Sequence, residues 1–239
     1  MVDIHCHILP GIDDGARDLY DSLSMASLAE KSGVKAIVAT PHCNVPGSPS
    51  NYFGRHFREI LIKTRKAFEA EGISVKLLGG MEVFATYDLP ELIKEGKILT
   101  INQSRYLLVE FGFYEEPEFA QIMVRRLREL NVVPVIAHPE RYEFIKEDLE
   151  FAKNLKAEGC VFQANKGSFL GRYGSSTEKC AFELINNRLI DVIASDAHNP
   201  DIRTPHMTGA LEKLNGKYDA KSLFSTNPRL ICTNKTLFN

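Results

Sequence analysis

The sequence has few cysteines, and their spacing does not form a framework. Five cysteines occur in 239 residues, and no two of them form a CxxC pair. An odd number without close pairs argues against a set of disulfides and against a thiolate zinc site. We therefore expect reduced thiols and a cytoplasmic protein.

Long apolar runs and an excess of one charge are also missing. No stretch approaches the roughly 18–20 apolar residues that cross a bilayer, and no basic segment followed by an apolar run opens the chain. We therefore expect a soluble protein that is neither exported nor inserted in a membrane. Lysine and arginine total 29 against 31 acidic residues, for a formal charge of −2. Without a basic surplus to contact a phosphate backbone, nucleic acid is not an expected partner.

Short runs rich in valine and isoleucine alternate with longer amphipathic segments, which is typical of β/α units around a parallel sheet. Most of these runs are too continuously apolar for a strand with one exposed face, so both faces of the sheet are expected to be buried. No linker or internal repeat divides the chain, and barrels of this length form one domain, so we predict a single α/β domain over 1–239. The predicted strands are Val2–Ile4, Lys35–Ala39, Val75–Leu78, Tyr106–Val109, Val133–Ala137, Cys160–Ala164 and Asp191–Ala194.

Two helices and one loop are clearly marked in the sequence. The first helix is predicted to follow Asp18, a typical N-cap residue, and to end before Gly33. The second covers Phe119 to Leu130, where apolar residues recur at helical spacing. After the second strand, residues 41–51 contain three prolines and a glycine, and we predict a long loop there.

Polar residues of metal-ligand type recur where the predicted strands end. The carboxyl ends of parallel strands meet at one edge of a sheet, so these side chains are expected to converge. A single one of them would more often be a core histidine or a helix-capping carboxylate, but one or two in nearly every unit indicate a site. The recurring residues are His5, His7, His42, Glu82, Glu110, His138, Asn165, Asp196 and His198.

The donor types and their spacing predict a metal centre. In His5-x-His7 and in Asp196-x-His198, both side chains point to the same face, because the strand repeat is two residues. The imidazoles and carboxylates are too many for one four-coordinate ion, so more than one ion is expected. Mixed nitrogen and oxygen donors suit manganese, iron or zinc better than copper or calcium. Because clustered divalent ions polarise phosphoryl groups and activate water, phosphoester hydrolysis is the predicted chemistry.

Other catalytic chemistries lack their motifs. No cysteine has an arginine six positions later, as the phosphate-binding loop of thiol-dependent phosphatases requires. The chain also has no GxxxxGK[ST], no GxGxxG after a strand, no HExxH and no GxSxG. These absences argue against a kinase, a dehydrogenase, a zincin and an α/β-hydrolase.

Six motifs, taken together and in order, resemble the polymerase and histidinol phosphatase (PHP) superfamily. Within it, they look like the bacterial manganese-dependent tyrosine-protein phosphatases of capsule and exopolysaccharide operons. The resemblance implies a distorted (β/α)7 TIM-like barrel with a cluster of three ions at its carboxyl-terminal mouth. The motifs are Asp3-Ile-His5-Cys-His7 with the following Asp14-Gly, Thr-Pro-His42, Gly-Met-Glu82, Glu110-Phe, His138-Pro-Glu-Arg141-Tyr and Ser-Asp196-Ala-His198-Asn.

The resemblance also implies a role for each site residue. Glu82 would bridge two ions, and a hydroxide held by the ions would attack phosphorus. Arg141 and Arg203 would contact the phosphate, for which the bidentate guanidinium is suited. The expected metal is Mn²⁺, with Fe, Zn or Mg as alternatives. By resemblance, His5, His7, Glu82 and Asp196 would hold one ion, Glu82, Glu110 and His138 a second, and Asp14, His42 and His198 a third.

Three functions stay open at this point. The favoured one is hydrolysis of phosphotyrosine on a cytoplasmic protein, with the carboxyl-terminal tail of a bacterial tyrosine autokinase as the expected partner. A second, within the same superfamily, is hydrolysis of histidinol phosphate or another small phosphoester. A third is a metal-binding regulatory module without catalysis, although retention of every ligand argues against it. Assembly as a homo-oligomer is left open.

Overall fold

Strands and helices alternate along the chain, as the apolar pattern predicts. The computed structural model describes residues 1–237. Its strands are Val2–Cys6 (β1), Ala36–Ala39 (β2), His42–Cys43 (β3), Lys76–Gly79 (β4), Glu82–Phe84 (β5), Tyr106–Glu110 (β6), Val133–Ala137 (β7), Val161–Asn165 (β8) and Val192–Ala194 (β9). Its α-helices are Leu19–Lys31 (α1), Arg55–Ala70 (α2), Leu89–Lys94 (α3), Pro117–Glu129 (α4), Glu143–Glu147 (α5), Leu149–Ala157 (α6), Lys166–Phe169 (α7), Ser175–Asn186 (α8), Thr208–Leu214 (α9) and Asn227–Cys232 (α10).

The strands pair in parallel and form two sheets. One sheet has the order β1-β2-β4, and the other has the order β3-β5-β6-β7-β8-β9. The chain passes twice from the first sheet to the second, because β2 leads into β3 and β4 leads into β5 after two residues. Cys6 and Ala197 form a further parallel bridge, and the His7 amide donates to the Ala197 carbonyl at 2.8 Å. These contacts place the carboxyl end of β1 beside the segment that follows β9.

Each predicted strand is present, with ends that differ by at most two residues. The predicted loop over residues 41–51 was wrong at its start, because His42 and Cys43 form β3. This short strand pairs with β5 and places His42 opposite Glu82. The Glu82 amide donates to the Pro41 carbonyl at 3.1 Å, and the ladder therefore resumes directly after the proline. The irregular connection to α2 is left with residues 44–54.

The strands carry apolar side chains below the polar side chains at their carboxyl ends. Leu108 and Val161 belong to an inner apolar cluster. Two residues further along the same strands, and hence on the same face, come Glu110 and Gln163. A larger apolar cluster joins the strands to the surrounding helices. The polar residues therefore lie directly above packed core, which limits their freedom to move.

Two helices form where the sequence predicts them. The Asp18 side chain caps the first turn of α1, and Gly33 follows the helix with a φ of 85°. On its inner face α4 buries Phe119, Met123 and Leu127. Within residues 1–237, no helix is long and apolar enough to cross a bilayer.

Candidate metal centre

The nine residues predicted to bind metal lie together at the carboxyl ends of the strands. His5 lies in β1, His42 and Glu82 open β3 and β5, and Glu110 ends β6. The others follow strands β1, β7 and β9: His7, Asp14, His138, Asp196 and His198. Three overlapping groups have ligand atoms within 4.8 Å of one another: His7, Asp14, His42 and His198; His5, His7 and Asp196; His42, Glu82 and Glu110. The convergence is therefore observed, while ligation itself stays a prediction.

The Glu82 carboxylate occupies the centre of this cluster. Its Oε1 atom lies 3.2 Å from His5 Nε2 and 3.1 Å from His138 Nε2. Its Oε2 atom lies 3.2 Å from His7 Nε2 and 3.1 Å from His42 Nδ1. Burial alone would raise the pKa of Glu82, but the facing histidines, led by His5, outweigh it and hold that pKa well below its usual range. A carboxylate with imidazoles at both oxygens is arranged to bridge two cations.

The remaining contacts extend the cluster in two directions. His138 Nε2 lies 3.5 Å from Glu110 Oε1, on the side of β6 and β7. On the other side, Asp14 Oδ1 lies 3.4 Å from His198 Nε2 and 3.6 Å from His42 Nε2. His42 therefore joins the two directions, since its Nδ1 atom also lies 3.6 Å from Glu110 Oε2. Asp14 is the most open member, with a side chain that is 68% exposed.

The chemistry of the cluster fits divalent cations. His42 Nδ1 is buried and has no hydrogen-bond partner, although Glu82 Oε2 lies 3.1 Å away. A buried ring nitrogen without a hydrogen bond needs another partner, and a cation bound by both His42 and Glu82 would provide it. The set of imidazole and carboxylate donors without thiolates suits Mn²⁺, Fe²⁺ or Zn²⁺.

Metal binding is expected to release protons from the cluster. Burial lowers the pKa of His138, but the carboxylates of Glu110 and Glu82 outweigh it and raise that pKa to about 10. Below that pH the metal-free imidazole is protonated, so a cation must displace the proton. Apparent affinity for Mn²⁺ should rise at least tenfold per pH unit from pH 7 to 9, about tenfold for each proton displaced. Calorimetric titration in buffers of different ionisation enthalpy counts the protons. Binding that releases none would contradict this prediction.

Asp13, which was not among the predicted site residues, orients two of them. Its Oδ2 atom accepts hydrogen bonds from His7 Nδ1 at 2.7 Å and from the His42 amide at 2.8 Å. Its Oδ1 atom accepts from the Gly15 amide at 3.0 Å. The carboxylate places the His7 proton on Nδ1 and leaves Nε2 free to face Glu82. Two adjacent aspartates were visible in the sequence, but only the three-dimensional contacts separate their roles.

The loop that carries Asp14 passes very close to β1. An added Cβ at Gly15 would lie 2.2 Å from the carbonyl oxygen of His7. We expect Gly15→Ala to lower the free energy of unfolding by about 1–3 kcal/mol, because the backbone must shift to remove the overlap. Urea unfolding of the metal-free protein measures the change. Gly209→Ala is the control, because a methyl group there meets nothing within 4 Å in α9; equal stability of the two variants would contradict the prediction.

The two arginines predicted to contact phosphate border the cluster beside Asp196. Arg203 Nη2 lies 2.7 Å from Asp196 Oδ2, and Arg141 Nη1 lies 3.8 Å from the same oxygen. The Arg141 guanidinium also lies 4.4 Å from the ring centre of Phe113 and 5.0 Å from that of Tyr173. The ion pair holds Arg203, and the two rings hold Arg141, so both guanidinium groups are presented at the edge of the cluster.

A cavity of about 590 Å³ opens beside the cluster on the side of Asp14. This volume is within the range of ligand pockets, about 300–1,000 Å³. Asn51 Nδ2 donates to the carbonyls of Ile12 at 2.8 Å and His42 at 3.0 Å, and thereby ties the irregular segment 44–54 to the site. The apolar part of the wall consists of Ile12, Val45, Pro49 and Phe84.

The parallel α/β fold and the cluster at its strand ends define a metal-dependent hydrolase. A phosphotriesterase from Mycobacterium tuberculosis shares the fold alone, with a TM-score of 0.55 and 11% identity over 98% of this chain and 94% of that chain. Similarity is much greater to a structure reported with YwqE from Bacillus subtilis and CpsB from Streptococcus pneumoniae, described as unique metal-dependent tyrosine phosphatases. It matches with a TM-score of 0.93 and 34% identity, over 100% of this chain and 96% of that chain.

Sequence comparison places the chain in a family. Tyrosine-protein phosphatase YwqE of Bacillus subtilis (strain 168) is 33% identical over 243 residues, covering 100% of this chain and 94% of that protein. Tyrosine-protein phosphatase CpsB of Streptococcus pneumoniae is 31% identical over 241 residues, covering 97% and 98%. The family described as capsular polysaccharide synthesis, CpsB/CapC, matches residues 1–233. This chain belongs to the CpsB/CapC family, which confirms the resemblance seen in the motifs.

Proposed function

We propose that this protein is a metal-dependent tyrosine phosphatase of capsule or exopolysaccharide synthesis. The observation that carries the proposal is the convergence of nine histidine and carboxylate side chains, with Glu82 at their centre and two arginines at the edge. The names of YwqE and CpsB, both tyrosine-protein phosphatases, support it. The proposed substrate is the tyrosine-rich carboxyl-terminal tail of a bacterial tyrosine kinase.

Mn²⁺ is the proposed metal, with Fe, Zn and Mg as the alternatives to be tested. When bound, such ions would polarise a phosphoryl group and lower the pKa of water, so that hydroxide is available as the nucleophile near neutral pH. Glu82 is the proposed bridge, because imidazoles face both of its oxygens. The proposed ligand sets are His5, His7, Glu82 and Asp196; Glu82, Glu110 and His138; and Asp14, His42 and His198.

The arginines and the cavity would position the phosphotyrosine. Arg141 and Arg203 would donate hydrogen bonds to phosphoryl oxygens and favour the charge that develops there. Because the arginines border Asp196 and the cavity borders Asp14, the phosphate would lie over the cluster between them. The aromatic ring and the neighbouring peptide would enter the cavity, where Phe84 and Val45 form part of the apolar wall.

The cysteines do not support an alternative thiol mechanism. All five are buried free thiols. Burial raises the pKa of Cys43, Cys160 and Cys180 to about 12, so these thiols stay protonated and are poor nucleophiles near neutral pH. Activity should therefore resist thiol alkylation. Free thiols also support the proposed cytoplasmic location.

The proposed architecture is one domain over 1–239, a distorted (β/α)7 barrel of the PHP type. β2 with β3 and β4 with β5 would each count as one bent strand, which gives seven barrel positions. The parallel bridge between Cys6 and Ala197 supports closure of the barrel between its first and last positions. Barrel closure would bring the strand ends into a ring and gather ligands from all sides.

Release of phosphate from a phosphotyrosine peptide tests the proposed function. The protein is first stripped with a chelator and then supplied with Mn²⁺, Mg²⁺ or Zn²⁺ one at a time. Mn²⁺ is expected to restore activity most, and His42→Ala and Glu110→Ala should lose activity while they keep the circular dichroism spectrum. Hydrolysis of histidinol phosphate without hydrolysis of the peptide would contradict the proposed substrate. Full activity in the stripped protein would contradict metal dependence.

A further inference from the structure

Strand β8 supplies no member of the metal cluster, yet its carboxyl end connects two of them. Gln163 and Asn165 are fully buried amides on the same face of β8. Gln163 Oε1 lies 2.7 Å from His5 Nδ1, and Gln163 Nε2 donates to Asn165 Oδ1 at 2.9 Å. Asn165 Nδ2 in turn donates to Asp196 Oδ2 at 2.6 Å. A continuous chain of hydrogen bonds thus runs from His5 to Asp196 behind the cluster.

The charge of Asp196 sets the orientation of both side-chain amides in this chain of hydrogen bonds. An ionised carboxylate only accepts hydrogen bonds, so Asn165 must turn its NH₂ group towards Asp196. Its oxygen then faces Gln163 and requires the NH₂ group of that residue, which leaves the Gln163 oxygen facing His5. A carbonyl oxygen at 2.7 Å requires an N–H group on His5 Nδ1. The Nε2 atom of His5 is then the one that faces Glu82, at 3.2 Å.

Contacts with Glu140 and Arg203 hold this chain of hydrogen bonds in place, so it cannot readily rearrange. The fully buried Glu140 accepts a hydrogen bond from the backbone N–H of Asn165 at 2.8 Å and another from Ser168 Oγ at 2.6 Å. These contacts fix the end of β8 and the start of α7 relative to the segment after β7. Arg203 holds the same Asp196 oxygen at 2.7 Å. The Asn165–Asp196 end of the amide chain is therefore held by contacts that do not involve Gln163 or His5.

We infer that Gln163 and Asn165 are positioning residues. They make Nε2 the nitrogen that His5 offers to a metal ion, and they fix the position of Asp196 Oδ2. The inference rests on the proposed metal-dependent function. His7 receives the same orientation from the Asp13 carboxylate. Beside Glu82 and Asp196 an amide achieves this without adding a further negative charge. Partners that orient metal ligands typically affect metal affinity about 10–100-fold.

The test uses the full chain, labelled with ¹⁵N-histidine and loaded with ¹¹³Cd²⁺. The unmodified protein should show a ¹¹³Cd–¹⁵N coupling to His5 Nε2 and a protected, hydrogen-bonded Nδ1–H signal. Gln163→Leu should lose that N–H signal and bind Cd²⁺ about 10–100-fold more weakly. The matched control is Gln121→Leu in helix α4, away from the cluster. It removes a side-chain amide that donates a hydrogen bond to Glu158. It should leave both readouts unchanged.

A second variant, Gln163→Glu, tests the inference if Gln163→Leu fails to fold. Gln163→Glu retains an acceptor for His5 but needs a donor from Asn165, whose oxygen would then face the Asp196 carboxylate. The expected result is retained coupling to His5 Nε2 with weaker Cd²⁺ affinity. If Gln163→Leu and Gln163→Glu both match Gln121→Leu in coupling, N–H signal and affinity, the inference is wrong although metal binding stands. If the unmodified protein binds no Cd²⁺, Mn²⁺ or Zn²⁺, the proposed function fails, and the inference with it.

Discussion

Glu82→Gln should lower kcat/KM for a phosphotyrosine peptide by about 10³-fold or more, because clustered ions contribute several kcal/mol to stabilising the transition state. Imidazole nitrogens lie within 3.2 Å of both Glu82 oxygens, with His5 and His138 at one and His7 and His42 at the other. An amide keeps one oxygen but replaces the other with NH₂, which cannot bind a cation. The variant should therefore lose the bridge between ions, and its effect should exceed that of removing one terminal ligand.

Metal content and turnover, measured on the same samples, decide this prediction. Glu82→Gln should bind fewer Mn²⁺ ions per chain at saturation and keep the circular dichroism spectrum of the unmodified protein. Glu59→Gln makes the same chemical change at an exposed residue that pairs with Arg55 in α2, and should keep full metal content and turnover. A Glu82→Gln protein with the turnover of the Glu59→Gln control would exclude a central role for this carboxylate.

Much of the fold was predictable because strands buried on both faces have continuous apolar sequences. The short strands β3 and β5, which follow β2 and β4 after two residues, were not. At Gly80 an added Cβ would lie 2.8 Å from Val38 Cγ1, so the chain runs close to its neighbour between β4 and β5. Pro41, which lies between β2 and β3 along the chain, has no N–H to donate, and the ladder of hydrogen bonds is interrupted there. Such local offsets depend on contacts between distant segments, and a pattern of hydrophobic residues does not contain them.

The ligand-type residues were predictable for a topological reason. His42, Glu110 and His138 lie far apart in sequence, but each marks the end of a parallel strand, and such ends converge. Asp14 and the two arginines lie outside strand ends, and they were assigned from the family resemblance alone. Asp13 and Gln163 were missed, because a buried acceptor for a histidine N–H is recognised only from its distance to that nitrogen. Residues that orient ligands therefore leave little signal in a single sequence.

The second large effect is expected at the two arginines, and it should differ between them. Arg141→Met should lower kcat/KM by about 10²–10³-fold, the usual cost of losing one donor to developing charge. It should leave Mn²⁺ affinity unchanged, because Asp196 Oδ2 is 3.8 Å from Arg141. Arg203→Met should lower turnover and also weaken Mn²⁺ binding, because its guanidinium holds that oxygen at 2.7 Å. Without it, Asp196 loses one of the contacts that fix its orientation.

Steady-state kinetics and Mn²⁺ titration of both variants separate the two roles. Arg55→Met, at an exposed arginine in α2, is the matched control and should change neither quantity. Arg141→Lys should recover little activity, because lysine keeps the charge but loses the planar fork and the packing against Phe113 and Tyr173. Weaker Mn²⁺ binding in Arg141→Met would show that this arginine also holds the cluster. Unchanged Mn²⁺ binding in Arg203→Met would confine that residue to the substrate, and the ion pair with Asp196 would then serve to position the arginine rather than the carboxylate.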